Sequence, residues 1–340
     1  MGPRVSWLFL ARRLGALVPQ LLAVSVFTFV LVRLLPGNPA DVILGPARTE
    51  AGIAALTSKM GLDKPMIEQY LIYLGNVLRG DLGTSWFSGE PVLDELLRRA
   101  PATLELVTCS LFVAITVGVF IGTLTAFRKR GVLAGVSDWY IRVAGSFPDF
   151  WIGLIAVYVF YFVLGLAPAP MGRLGIVALT PPAITGFFTI DSLLAGEFAT
   201  FAEAVRHLAL PVLTLGLILA PMVGKVTRAT VLDVLSMDFI HYARAAGLRR
   251  RTVVWYAVSN ALPPVITLIG ILFAYLLGGT VLMEKVFSWG GVGQYAVQAV
   301  VNADFLAVQG FVLVAATFTM LVYLAVDLLH MAIDPRVSHY

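Results

Sequence analysis

The residue types that ordinarily carry chemistry are few in this chain, and they are not spaced to cooperate. His207, His241, His330 and His339 are the four histidines, and they do not cluster at ligand spacing, so no metal site is expected. The single cysteine, Cys109, lies inside an apolar run with no evident histidine partner, which excludes an intramolecular disulfide and argues against a nucleophile and base pair. Gly224-Lys225 lacks the G-x-x-x-x-G-K-[ST] spacing whose backbone amides cradle phosphates, so this chain is not expected to hydrolyse ATP itself. The informative spacing belongs to Met237–Ala257. Small residues before Gly247 share one face and let a short helix seat closely on another surface, while Val253, Val254 and Ala257 resume a helical stripe after it. A helix, a glycine break and a second helix are expected, because the turn demands a backbone conformation costly for other residues. Such an element makes contacts rather than bonds. The alternative is an interfacial helix-turn-helix with Arg249, Arg250 and Arg251 against anionic headgroups.

The elements that position this segment are set by composition. Of 340 residues, 59% are hydrophobic and 13% charged, against roughly 45–50% and about 25% in soluble domains. A single soluble domain is thereby excluded, and an all-α membrane protein is expected. Apolar runs near 14–32, 104–127, 139–166, 208–226, 262–283 and 306–331 are each close to or above the length needed to cross a bilayer, giving six transmembrane helices. The first run is too long for a signal-peptide core and lacks a small-residue cleavage site, so it reads as a retained helix. Lysines and arginines favour one side by fourteen to nine, and the poorer side includes a long acid-bearing loop whose charges count little. Both termini are therefore expected in the cytoplasm. The net charge of +4 gathers in short tracts beside apolar runs, which signals topology and not nucleic acid.

Three regions fall outside the spans. The first, about 36–100, is expected to be external, with one amphipathic helix carrying Ile67, Leu71, Leu74 and Leu78, started by Asp63-Lys64-Pro65 and stopped by Gly80-Asp81-Leu82-Gly83. The second, about 167–207, is rich in proline and glycine and is expected to be an ordered loop with one short helix. The third, about 227–261, holds the helix-glycine-helix segment on the cytoplasmic side. Glu105 and Glu284 fall at span ends, where water or headgroups would reach them, and Asp327 near the inner end of the last span; structural roles are expected for all three. Pro148 and Pro211 are candidates for helix kinks or starts.

The 237–257 segment resembles the coupling motif of the B-type permease subunits of dipeptide and oligopeptide ABC importers, and further similarity extends over nearly the whole chain. Arg33-Leu34-Leu35-Pro36-Gly37-Asn38-Pro39, Gly61-Leu62-Asp63-Lys64-Pro65, Gly80-Asp81-Leu82-Gly83-Thr84-Ser85, Phe287-Ser288-Trp289-Gly290-Gly291-Val292-Gly293-Gln294 and Ile333-Asp334-Pro335-Arg336 follow in the family's order. The general motif begins Glu-Ala-Ala, whereas His241-Tyr242-Ala243 stand at those positions here, so a gripping carboxylate is not carried over.

The resemblance implies a type I ABC importer permease fold in the plasma (inner) membrane. Residues 1–100 would form the first helix plus an external region, and 101–340 a five-helix core with its cytoplasmic coupling loop at about 227–261. His241, Tyr242, Ala243, Arg244, Ala245, Ala246, Gly247 and Leu248 would dock on an ATPase, with Ala243 and Ala246 as contact surface. The implied partners are a homologous second permease subunit, one or two cytoplasmic ABC ATPases, an extracytoplasmic peptide-binding protein and membrane lipid. No cofactor is implied in this chain; ATP and Mg would sit on the ATPases. Family substrates include dipeptides, longer peptides, glutathione, nickel complexes and haem. The competing function is a stand-alone channel or ion-coupled transporter, which would pair charges at the bilayer centre and carry an internal repeat.

Overall fold

The computed structural model describes residues 7–34, 44–45, 49–59, 61–128 and 131–333. The motif residues 35–39 and 334–336 lie outside them. Among the described residues the regular structure is helical, apart from one isolated antiparallel bridge between Thr84 and Pro91. In order the helices are α1 (Trp7–Leu34), α2 (Glu50–Lys59), α3 (Met66–Leu78), α4 (Val92–Phe127), α5 (Val132–Val143), α6 (Asp149–Ala156), α7 (Phe188–Leu194), α8 (Phe198–Leu235), α9 (Asp238–Ala245), α10 (Arg250–Gly279), α11 (Val281–Val286), α12 (Val292–Val301) and α13 (Phe305–Ile333).

Among the described residues, five helices are long and apolar enough to cross a membrane: Arg12–Leu34 within α1, then α4, α8, α10, and Phe305–Leu328 within α13. The run near 139–166, expected as one span, falls in a helix pair, Val132–Ser146 and Asp149–Val163, bent by 109°, which makes a sixth span if the pair crosses as one. Proline explains the break. Pro148 disfavours helical geometry at the residue before it, and Phe147 is extended, with φ −112° and ψ 147°. Pro211 and Pro221, by contrast, run inside α8 without ending it. Helix α3 occupies the stretch where an amphipathic helix was expected, whereas α2 had no comparable periodic stripe to announce it.

The described residues fall in two compact units, one within 7–103 and 290–321, the other within 104–289 and 322–333. In the first, Leu82, Val92, Leu96, Tyr295, Ala299, Ala307 and Leu313 make the core. Buried Asp304 ties it together: its Oδ2 accepts from Ser85 Oγ at 2.6 Å and from the Phe87 amide, and its Oδ1 accepts from the Ala307 amide in the first turn of α13. Helix α3 docks on α1 through Tyr70, which meets Ser25 Oγ at 2.9 Å and sets its ring edge-on to Phe29.

The second unit is organised along α8, which packs against α10, α7, α6 and α5. Its contact with α4 is made by glycines. A Cβ built on Gly118 would lie 2.7 Å from the Ala220 carbonyl oxygen, and one on Gly122 would lie 2.6 Å from that of Gly224. Gly216 on α8 meets α4 in the same way at the Ser110 carbonyl, 2.9 Å from a built Cβ. Small residues are how membrane helices bring backbones together when lipid supplies no hydrophobic drive between them.

Candidate functional site

Helix α9 stands where the sequence placed a short helix before a glycine break. It begins after Met237, whose extended backbone (ψ 148°) turns the chain out of α8, and Asp238 in its first turn complements the helix dipole. Its end is a Schellman closure. The Leu248 amide donates to the Ala243 carbonyl at 3.1 Å and the Gly247 amide to the Arg244 carbonyl at 3.0 Å, with Gly247 at φ +74°. Nothing lies within 4 Å of where a Gly247 Cβ would be, so the glycine is required by conformation and not by crowding. Arg249 is extended, and α10 starts at the next residue.

The two faces of α9 differ sharply. Ile240 is wholly buried and packs with Val231 and Val234 of α8, Val253 and Ala257 of α10, and Ala126 of α4. Ala243 is also buried, so it seats the helix on its own chain, which corrects the expectation that it presents contact surface to a partner. His241, Tyr242, Arg244, Ala245, Ala246, Gly247 and Leu248 face outward, with Tyr242 77% exposed. Met237, Phe239 and Trp255 are exposed alongside them. The surface is therefore apolar and aromatic with basic side chains at Arg244 and Arg249, held by an anchored inner face, and it is suited to docking. Gly224-Lys225 lies within α8, where Gly224 faces Ile141 and the Gly118 carbonyl, a packing position and not a phosphate loop.

A second concentration of charge was missed in the sequence. Glu105 of α4 is buried, not reached by water as its position at a span end suggested. Its Oε2 pairs with Arg173 Nη2 at 2.5 Å, and its Oε1 accepts from the Thr189 amide at 3.0 Å and Oγ1 at 2.6 Å. Arg173 also donates to the Gly186 carbonyl at 2.8 Å and lies 3.5 Å over the Phe188 ring. Burial lowers the Arg173 guanidinium from its ordinary value, while Glu105 and Asp191 pull it back. Asp191, at the heart of α7, accepts from the amides of Ile184, Thr185 and Gly186 and from Thr185 Oγ1. These contacts fasten the 167–197 loop to α4. No local signal gave the pairing, since Glu105 and Arg173 are 68 residues apart. Glu284 is likewise fully buried.

Residues 118–339 match the family described as binding-protein-dependent transport system inner membrane component, and residues 7–107 match that family's N-terminal component. The chain is 41% identical to the di/tripeptide transport system permease protein DppB of Pseudomonas aeruginosa, over 97% of this chain and 98% of that one. It is 38% identical to the dipeptide transport system permease protein DppB of Escherichia coli K12, again over 97% and 98%. With the probable D,D-dipeptide transport system permease protein DdpB of the same organism it shares 39% identity over 98% of each.

Proposed function

The chain belongs to the binding-protein-dependent transport system inner membrane components, and from that premise we propose that it is the permease subunit of an ATP-driven importer of dipeptides or oligopeptides, forming half of the translocation pathway. The observation that carries the peptide reading is similarity along 97% of the chain to permeases named for di- and tripeptides. In this reading both termini and the 227–261 loop are cytoplasmic, residues 1–100 supply the first helix and an external region, and residues 101–340 form the permease core. A homologous second permease completes the pathway. An extracytoplasmic binding protein delivers peptide, and one or two cytoplasmic ABC ATPases, which hold ATP and Mg, supply the energy.

Coupling is assigned to the outward face of α9. Tyr242, Arg244 and Leu248 enter a groove on an ATPase, while Ile240 and Ala243 transmit the push inward to α8 and α10. Packed helices have discrete arrangements, so the push becomes a switch of access and not a graded deformation. The test is co-purification from native membranes of wild type, Tyr242→Asp and Gly247→Asp. Wild type should bring down a second permease and Walker-motif ATPases, and both variants should lose the ATPases while keeping the permease. Recovery of a lone wild-type chain that moves peptide in liposomes without ATP overturns the reading in favour of a stand-alone transporter.

A further inference from the structure

In the unit that contains α1 and α3, polar groups converge on a cavity of about 390 Å³. It lies among Arg33 at the end of α1, Gln69, Tyr73 and Asn76 on one face of α3, the Asp81–Gly83 turn, and Gln309 of α13. Gln309 is only 1% exposed, and its Nε2 has no hydrogen-bond partner. The Tyr73 hydroxyl is likewise buried and without a partner. A buried donor left unmade costs roughly 1–3 kcal/mol, so two around one cavity call for an occupant that accepts from them.

The charges narrow its chemistry. Arg33 is oriented: its Nε donates to Gln69 Oε1 at 3.0 Å and its guanidinium lies 4.1 Å over the Phe29 ring, which fixes the plane of the remaining N–H groups. Lys64, also on the wall, is engaged by Glu68 at 2.7 Å. Burial raises Tyr73 to about 12, with Tyr70 adding to the rise and Arg33 partly offsetting it, so the phenol stays a neutral donor. Asp81, which also lines the cavity, is exposed; its Oδ1 accepts from the Gly83 amide at 2.8 Å, and the carboxylate keeps further acceptor capacity.

We propose that this cavity binds a small zwitterion, its oxyanion accepting from Arg33, Tyr73 and Gln309 and its ammonium group meeting Asp81. A free amino acid or small peptide and an ethanolamine phospholipid headgroup share this chemistry. The site is independent of what α9 docks with.

The experiment places the full-length chain in nanodiscs of pure phosphatidylglycerol, which lacks the ammonium group, and follows the thermal midpoint. One arm adds alanyl-alanine and a control adds N-acetyl-alanyl-alanine; the other arm replaces half the lipid with phosphatidylethanolamine. Tyr73→Phe and Gln309→Met remove the two buried unpartnered donors, so without ligand both should match or exceed wild type. Wild type should rise by several degrees in one arm, and each variant should lose at least half of that rise. A rise with the dipeptide and not its acetylated form assigns a free solute; a rise only with phosphatidylethanolamine assigns the headgroup. No rise in either arm, or equal rises in wild type and variants, overturns the proposal.

Discussion

The 167–197 loop and helix α9 are both short, irregularly bounded pieces attached to long helices, yet they are fastened by opposite means. The loop is held by charge turned inward: Glu105 pairs with Arg173, which also donates to the Gly186 carbonyl, and Asp191 accepts from the loop's own amides. Helix α9 is held by two apolar anchors, Ile240 and Ala243, and turns its polar and aromatic groups outward. The ionic arrangement resists sliding, because each carboxylate has specific donors and a displaced one is left buried and unpaired. The apolar arrangement tolerates small rolls at little cost, since hydrophobic contact is not directional. One region is fixed by directional bonds, and the other leaves an apolar and aromatic face open.

The comparison can be broken most forcefully at Glu105. Glu105→Ala strands Arg173 in a buried setting, and removing one partner of such a pair costs about 3–5 kcal/mol. Thermal denaturation should show that loss, with proteolysis appearing first in the 167–197 loop; a shift below about 1 kcal/mol would mean the latch is decorative.

At the other region the largest single effect on stability is expected at Gly247, where Ala at φ +74° costs about 1–2 kcal/mol of left-handed strain. Gly247→Asn, which tolerates that conformation better, should recover part of it in the same melt. If Ala and Asn behave alike, conformation is not what the position requires.

Acidification separates the regions without mutation. Burial opposes the Asp191 charge, but the Thr185 hydroxyl and the amides of Thr185, Gly186 and Ile184 outweigh it and hold the carboxyl below its usual range. A carboxylate depressed on folding stabilises the fold at pH above its unfolded value, about 3.9, and that contribution disappears as pH falls through the lower folded value. Hydrogen exchange in 184–197 should therefore accelerate, relative to that in 238–248, on titrating from pH 5 toward 3. Asp191→Asn should abolish the difference.

The smallest effect on stability, and the sharpest on function, is expected at Tyr242. It is 77% exposed, so Tyr242→Ala should move the melt by no more than about 0.5 kcal/mol, while peptide-stimulated ATP hydrolysis by the assembled transporter falls at least tenfold. A variant that melts and couples like wild type would remove Tyr242 from the docking surface.

What could be read in the sequence was what local pattern encodes. The stripe from Ile67 to Leu78 marks α3, and Gly247 between two helical patterns marks the end of α9, because periodicity and glycine chemistry act over a few residues. The Glu105 pair was illegible because its members meet only after the chain has folded back. The exposure of each α9 residue was also hidden: Ala243 and Ala246 are chemically alike and three apart, and only the packing of α8 and α10 decides that one is covered and the other open. Pro148 announced a disturbance but not a 109° bend.

The glycine seam between α4 and α8 has a mechanical consequence. At 38 residues and about 1.5 Å per residue, α8 is a rod of roughly 57 Å, with the latched loop before its first turn and α9 after its last. Where Gly118 and Gly122 meet it, they rest on the Ala220 and Gly224 carbonyls and on the stiff β-branched Val223 and Thr227, so no long, flexible side chain serves there as a cushion. A load applied at Leu235 has no compliant layer in which to dissipate there. It reaches α4, and through Glu105 the loop, with little slack.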